Sequence, residues 1–170
     1  MVKTKSYTFN GEVKRNLSDW LNWIDDAEKI YNLLKIRPTE CSVLSKNGTN
    51  IKSVKSIRNK IINLYKKGDI VESMSFYNLK KEYESIIFDF TVSLTRNSCF
   101  NAYVTLILNY QYYDENIILN DERIISILRQ NIIKPRGEVY EMDINECPEF
   151  YAGKANDKSH YKSLNIIKQI

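Results

Sequence analysis

The stretch ESIIFDFTVSLT, residues 84–95, organises the fold because its apolar side chains recur at alternate positions. A period of two is typical of a β-strand with one buried face. After a turn-like segment at 96–99, the alternation resumes over residues 102–108. The pattern predicts a long β-hairpin over residues 84–110, whose apolar face forms the floor of the core. The inward side chains of its first strand are Ile86, Phe88, Phe90, Val92 and Leu94.

Three further segments carry an apolar stripe at the helical spacing of three and four residues. Short polar residues precede the first and third segments and can cap the free N–H groups of a first helical turn. Gly68 suits the end of the second, because glycine accepts a left-handed backbone. Pro135 and Gly137 close the third. The predicted helices begin after Asn16 or Ser18, at about Ile51 and at Asn120, and they end at Pro38, Gly68 and Ile133.

Shorter alternating runs predict four strands beside the hairpin: 5–9, 41–44, 72–79 and 138–144. With hairpin-connected strands and interspersed helices, we expect an α+β fold. It has an antiparallel β-sheet with a long central hairpin and about three helices packed mainly on one face. The length of 170 residues favours a single domain over 1–170. Residues 153–170 are polar and irregular, so we expect a loosely attached C-terminal tail, ending in a short helix or a frayed segment.

The composition is that of an ordinary globular protein, with 27% charged and 43% hydrophobic residues and a net charge of +4. Cys41, Cys99 and Cys147 are far apart and odd in number, which argues against a disulfide framework or a zinc site and favours a reducing compartment. No segment has the ~20 apolar residues that span a bilayer, and the first residues lack a signal-peptide pattern. The expected location is the cytoplasm.

No motif in the chain points to catalysis. The single histidine, His160, lies in a polar stretch, and general-base work needs a positioned partner. Cys99 and Cys147 have no histidine beside them in the sequence. Five glycines leave little room for a phosphate-binding loop. We therefore expect no catalytic residue, no metal site and no cofactor, and a protein that is not an enzyme.

A basic stripe lies along the predicted second helix, 51–67, opposite its apolar face. Such a stripe could bind phosphates, or it could be the solvated side of a helix in a lysine-rich protein. Tyr110, Tyr112 and Tyr113 could stack on bases beside it. This is the alternative function, a nucleic-acid-binding accessory module. The stripe positions are Lys52, Lys55, Asn59, Asn63 and Lys66.

Acidic and aromatic side chains concentrate in and after the last predicted strand. They could form an acidic rim that meets a basic protein surface, with charge steering the encounter and aromatics supplying contact area. They could equally be the charged, solvated edge that a sheet needs to avoid self-association. Asp114 and Glu115 could extend the rim. The predicted partner-binding residues of this acidic rim are Glu138, Tyr140, Glu141, Asp143, Glu146 and Tyr151.

The layout as a whole resembles a group of known proteins. The features that carry the resemblance are Tyr7-Thr8-Phe9, the helix with Trp20 and Trp23, the Asn47-Gly48 loop, the strands at 84–110, the helix at 120–133, and Pro135 followed by the strand at 138–144. This layout is similar to the immunity proteins of bacterial contact-dependent growth inhibition and other polymorphic toxin systems. The resemblance implies a non-enzymatic cytoplasmic antitoxin. It would bind the C-terminal domain of a cognate toxin, often a nuclease, and block its active site or substrate access.

Overall fold

One antiparallel eight-stranded sheet runs through the protein. The structure is a computed structural model that describes residues 2–48, 50–113 and 121–170. In spatial order the strands are β3-β2-β4-β5-β6-β1-β7-β8, so the first strand lies inside the sheet, between β6 and β7. The strands are β1 (Lys3–Glu12), β2 (Glu40–Ser45), β3 (Asn50–Lys52), β4 (Val71–Leu79), β5 (Phe90–Asn97), β6 (Tyr103–Asn109), β7 (Ile133–Asp143) and β8 (Asn165–Gln169).

Three helices cover one face of this sheet, which we call the helical face. Their apolar stripes bury Trp20, Ile61 and Ile124 against strand residues such as Leu94 and Leu106, in one continuous core. Burial of such side chains is the main stabilising term of the fold. The α+β class and the helical cover are therefore confirmed. The helices are α1 (Leu17–Leu33), α2 (Ile57–Lys66) and α3 (Asp121–Arg129), and a short α4 (Pro148–Ala152) follows β7.

The long hairpin over residues 84–110 is not confirmed. Strands β5 and β6 do pair, from Val92 opposite Leu108 to Asn97 opposite Tyr103, but residues 84–89 lie outside any strand. Their backbone is held locally, because the Asp89 carboxylate accepts hydrogen bonds from the N–H groups of Glu84 and Ser85 at 3.0 and 2.9 Å. A side chain that binds its own backbone competes with strand pairing, which an apolar alternation does not reveal.

Three predicted helix boundaries were wrong, and the first of them is the end of α1, which lies at Leu33 and not at Pro38. Residues 50–52 form the edge strand β3, and α2 begins only at Ile57, after Ser56 adopts a left-handed backbone with φ of 60°. Pro135 and Gly137 do not close a helix, because they lie within β7. Proline is tolerated there because the pairing of β7 with β1 is irregular between Ile133 and Arg136, and the C-terminal residues bond to β7 only from Gly137 onward. The predicted cap Asn120 lies outside the described residues.

The chain after β7 covers part of the opposite face of the sheet, which we call the second face. Tyr140 and Met142 of β7 pack there against Tyr151 and Tyr161. Residues 165–169 then pair with β7 as β8, which makes them a strand and neither a helix nor a frayed tail. On the β2 side of the same face, Leu44 stays exposed. The second face is therefore covered at one end and open at the other.

Candidate functional site

Four residues of the predicted acidic rim are buried. Glu138, Tyr140, Glu141 and Tyr151 each expose less than a tenth of their surface. Alternation in β7 places Glu138 and Tyr140 on the second face, beneath the C-terminal segment. These side chains form no exposed rim, because the segment that follows β7 folds back over Glu138 and Tyr140, and Lys3 and Tyr110 contact Glu141.

Both buried glutamates are neutralised inside the protein. Glu138 accepts a hydrogen bond from the Tyr151 hydroxyl at 2.7 Å and pairs with the Lys154 ammonium at 3.0 Å. Glu141 pairs with Lys3 at 2.5 Å and accepts from the Tyr110 hydroxyl at 2.9 Å. Burial opposes ionisation of both carboxyls, but these partners outweigh it and hold the pKa of each below its usual range. Their role in this geometry is to fasten the sheet and its cover.

Asp143 and Glu146 are half-buried, and their carboxylates accept hydrogen bonds from backbone N–H groups. The Asp143 carboxylate accepts from the Asn145 N–H at 3.0 Å, and Glu146 accepts from the N–H groups of Lys162 and Ser163. Burial opposes ionisation of Glu146, but these bonds hold its pKa below the usual range. The structure thus brings the predicted rim residues together in one region, where they organise the C-terminal segment. Asp114 and Glu115 lie outside the described residues.

The basic stripe is only partly helical. Lys52 lies in β3 and Lys55 in the turn before α2, while Asn59, Asn63 and Lys66 lie on the helix. All five side chains are exposed. The stripe is therefore a solvated surface. Both interpretations, a phosphate-binding face and the solvated side of a helix, require this exposure.

A cleft opens on the second face where the covering segment stops. We call it the Glu149 cleft. It encloses about 290 Å³ between the sheet, the start of α4 and the segment before β5. Pro148 at the first position of α4 fixes the backbone there, since proline suits the first turn of a helix. Its lining is Tyr77, Phe90, Tyr103 and Ile107 from the sheet, Ile87, and residues 147–150.

Glu149 supplies the charge of this cleft. Its carboxylate accepts a hydrogen bond from the Tyr103 hydroxyl at 3.2 Å. Among the described residues, no lysine, arginine or histidine lies within 4.0 Å of it. Burial therefore raises the pKa of Glu149, although hydrogen bonds to Thr95 and Tyr103 oppose the rise. An acid that the protein does not neutralise lies at an open, mainly apolar site.

The other polar groups of the cleft are held in their neutral forms. Burial, reinforced by the neighbouring Glu149, raises the pKa of the Cys147 thiol. The same two causes raise the pKa of the Tyr77 and Tyr103 phenols. A reactive cysteine needs a lowered pKa, so the cleft presents hydrogen-bonding groups and one carboxyl, and the geometry suits binding.

Exposed apolar side chains flank the cleft on both sides. Ile87 is 48% exposed on one side and Phe150 is 51% exposed on the other. Phe88 and Tyr83, from the same segment as Ile87, are also exposed. Contiguous apolar surface of this kind marks binding sites more often than isolated exposed residues do. The sequence contained Glu149 and Phe150 within its acidic, aromatic pattern, but no signal separated them from Glu146 and Tyr151.

A second pocket lies on the helical face, and we call it the Arg96 pocket. It encloses about 440 Å³ and is lined mainly by polar side chains. Arg96, only 3% exposed, donates to the carbonyls of Asn131 and Lys14 at 3.3 and 3.0 Å and stacks over Trp20 at 4.4 Å. Burial lowers the pKa of Arg96 to about 10. Asp26 beside it is also held internally.

Three donors converge on the buried Asp26 carboxylate: the Lys29 ammonium at 2.7 Å, and the side-chain amides of Gln130 and Asn131 at 2.8 and 2.9 Å. Arg96 of β5 bonds to Lys14, in the loop between β1 and α1, and to Asn131 after α3. Asp26 joins α1 to Gln130 and Asn131. Asp26 and Arg96 thus join elements of the fold, while one oxygen of Asp19 and one nitrogen of Arg96 are buried without a hydrogen-bond partner among the described residues.

None of the described helices has the length and apolar character needed to cross a membrane. Within the described ranges, no group of three or more histidine, cysteine or acidic residues is placed to hold a metal ion. Comparison with protein-family models, curated proteins and solved structures yields no significant match to this chain.

Proposed function

We propose that this chain is a non-enzymatic immunity protein that binds a cognate toxin domain in the cytoplasm and neutralises it. The observation that carries the proposal is the Glu149 cleft, with exposed apolar residues on both sides and an unneutralised acid within. Protein interfaces are typically built on such a desolvated apolar centre with few charges, surrounded by polar surface. The layout resemblance to immunity proteins supplies the class of partner.

The cleft replaces the acidic rim as the predicted contact surface. Partner contact through Glu138 or Glu141 would require exposing carboxylates that Lys154 and Lys3 already neutralise. Ile87 and Phe150 need no rearrangement, because half of each side chain already faces solvent. A toxin domain seated there would lose access to substrate by being covered, without any chemical step on the part of this protein.

The first step of the test is to find a large open reading frame with a small C-terminal domain next to the gene for this chain, and the second is co-expression with that domain. We expect a stable complex and rescue of growth. Ile87→Ser combined with Phe150→Ser should weaken binding at least tenfold, since apolar anchors dominate interface energies. The matched control is Ile167→Ser in β8, because Ile167 is 46% exposed and lies at the far edge of the sheet.

Two results would contradict the proposal. One is the absence of any complex or growth rescue with that toxin domain. The other is a double variant that remains folded and binds as tightly as the unmodified protein. That result would show that the interface lies outside the cleft.

The competing proposal is a nucleic-acid-binding module, supported by the exposure of Lys52, Lys55 and Lys66. Binding through these lysines would weaken steeply with salt, because each phosphate contact releases counterions. Retention on DNA or RNA columns at low salt, reduced by Lys52→Ala with Lys55→Ala, would favour it. An antitoxin acting through the Glu149 cleft should show no such retention.

A further inference from the structure

Three buried acids of the described chain have a lysine beside them, whereas Glu149, which is partly exposed at the cleft, does not. Asp26, Glu138 and Glu141 each have a lysine ammonium within 3.0 Å. Glu149 has no cation within 4.0 Å among the described residues, and it keeps only hydroxyl partners. Buried charges in proteins are normally paired because desolvation of a lone charge is costly. Glu149 would therefore gain from a cation supplied by another molecule.

The walls of the cleft suit a particular kind of cation. Ile87, which is 48% exposed, offers an apolar surface for an aliphatic stem. Phe150 and Tyr103 offer aromatic faces on which a planar guanidinium can stack. A volume of about 290 Å³ falls at the lower limit of small-molecule pockets, which hold roughly 300–1,000 Å³. One long side chain fits this space better than a cofactor does.

We infer that the Glu149 cleft receives an arginine side chain of the partner protein, with the guanidinium on the Glu149 carboxylate and the stem between Ile87 and Phe150. A carboxylate can accept two parallel hydrogen bonds from guanidinium, which adds direction to the charge attraction. The inference rests on the proposed function for the identity of the partner. It deepens that function by naming the chemical group on which the contact centres.

The first experiment uses small probes in place of the partner. The peptide Ac-Gly-Arg-Gly-NH₂ is titrated into the protein while the methyl resonances of Ile87 and Ile107 are followed by NMR. Its counterpart carries citrulline, which has the shape of arginine without the charge. We expect saturable shifts with the arginine peptide only, and at least a fivefold loss of affinity in Glu149→Gln. Equal shifts with both peptides, or no shift with arginine up to tens of millimolar, would overturn the inference.

The second experiment uses the toxin domain. Removing one partner of a buried charge pair typically costs 2 kcal/mol or more, so Glu149→Gln should weaken the complex about thirtyfold or more. Glutamine keeps an acceptor for the Tyr103 hydroxyl, and an unfolding curve confirms that the variant is folded. Glu122→Gln is the charge-matched control, because Glu122 is largely exposed on α3.

The two proposals fail in different ways. If the Ile87 and Phe150 double variant weakens the complex while Glu149→Gln leaves it unchanged, the function stands and the arginine inference is wrong. If the toxin domain does not bind at all, the proposed function fails. In that case discrimination between the arginine and citrulline peptides still supports the chemistry assigned to the cleft.

Discussion

Strand β5 separates two charged groups of opposite sign, of which Arg96 is buried and Glu149 is partly exposed. Arg96 lies on the helical face, and Glu149 lies at the cleft on the second face, where it accepts a hydrogen bond from the Tyr103 hydroxyl. Arg96 is fixed by two carbonyls and an indole ring from segments distant in sequence. Glu149 has only hydroxyl partners and borders an open cleft. Burial of charge alone therefore does not identify a functional site. The difference lies in how firmly the rest of the chain holds each group: Arg96 donates to two carbonyls and stacks on a ring, although one of its nitrogens has no partner in the described chain, whereas Glu149 accepts from the Tyr103 hydroxyl.

The Arg96 pocket should respond to mutation as part of the fold. Arg96→Met leaves the carbonyls of Lys14 and Asn131 without their donor, and each buried unpaired group costs about 1–3 kcal/mol. We expect the free energy of unfolding to fall by about 3 kcal/mol, measured by denaturant titration. Arg58→Met is the control, because the Arg58–Asp25 pair is about half exposed and such pairs contribute about 0–1 kcal/mol. Equal decreases in the free energy of unfolding of the two variants would contradict the structural role of Arg96.

Glu138 should contribute stability that depends on pH. Its folded-state pKa lies below the ordinary value of 4.5, so its contribution is present above that value and is lost as pH falls through the folded-state pKa. Glu138→Gln should be about 2 kcal/mol less stable at pH 7, since hydrogen bonds to charged groups are worth about 1.5–3 kcal/mol. Unfolding curves of the two proteins should converge in acid. A gap that is independent of pH would contradict this assignment.

Glu149 should show the opposite sign and the smallest effect. Because its folded-state pKa is raised above 4.5, ionisation of Glu149 disfavours the folded state at neutral pH. Glu149→Gln should therefore be more stable at pH 7 by about 0.5–1 kcal/mol, as is common where a binding site is relieved of strain or charge. The gain should vanish as pH falls below 4.5. If Glu149→Gln is instead less stable at pH 7, Glu149 stabilises the fold, as Arg96 does.

Much of the scaffold could be predicted from periodicity. The stripe that includes Trp20 and Ile24 predicted α1, and the alternation over 102–108 predicted β6, because both follow from one buried face. The start of β5 was missed because Asp89 binds the backbone of Glu84 and Ser85. No periodic pattern encodes that contact.

The candidate site was harder to predict for a different reason. Glu138 and Glu149 are both acids in the same stretch of chain, and sequence alone does not separate them. Glu138 is neutralised by Lys154, which reaches it only because the segment after β7 folds back over the sheet. Glu149 lies where that segment leaves a gap. Which acid finds an internal cation depends on this long-range geometry.

The position of β1 between β6 and β7 has a consequence for how the protein forms during synthesis. Both neighbours of β1 are encoded far downstream, starting at Tyr103 and Ile133. At typical translation rates of about 5–20 residues per second, the ribosome needs roughly 5–20 s to reach β6 after completing β1. Throughout that interval, neither of the two strands that flank β1 in the folded sheet has been made. The interior position of β1 is thus completed late, although β1 is made before both of its neighbours.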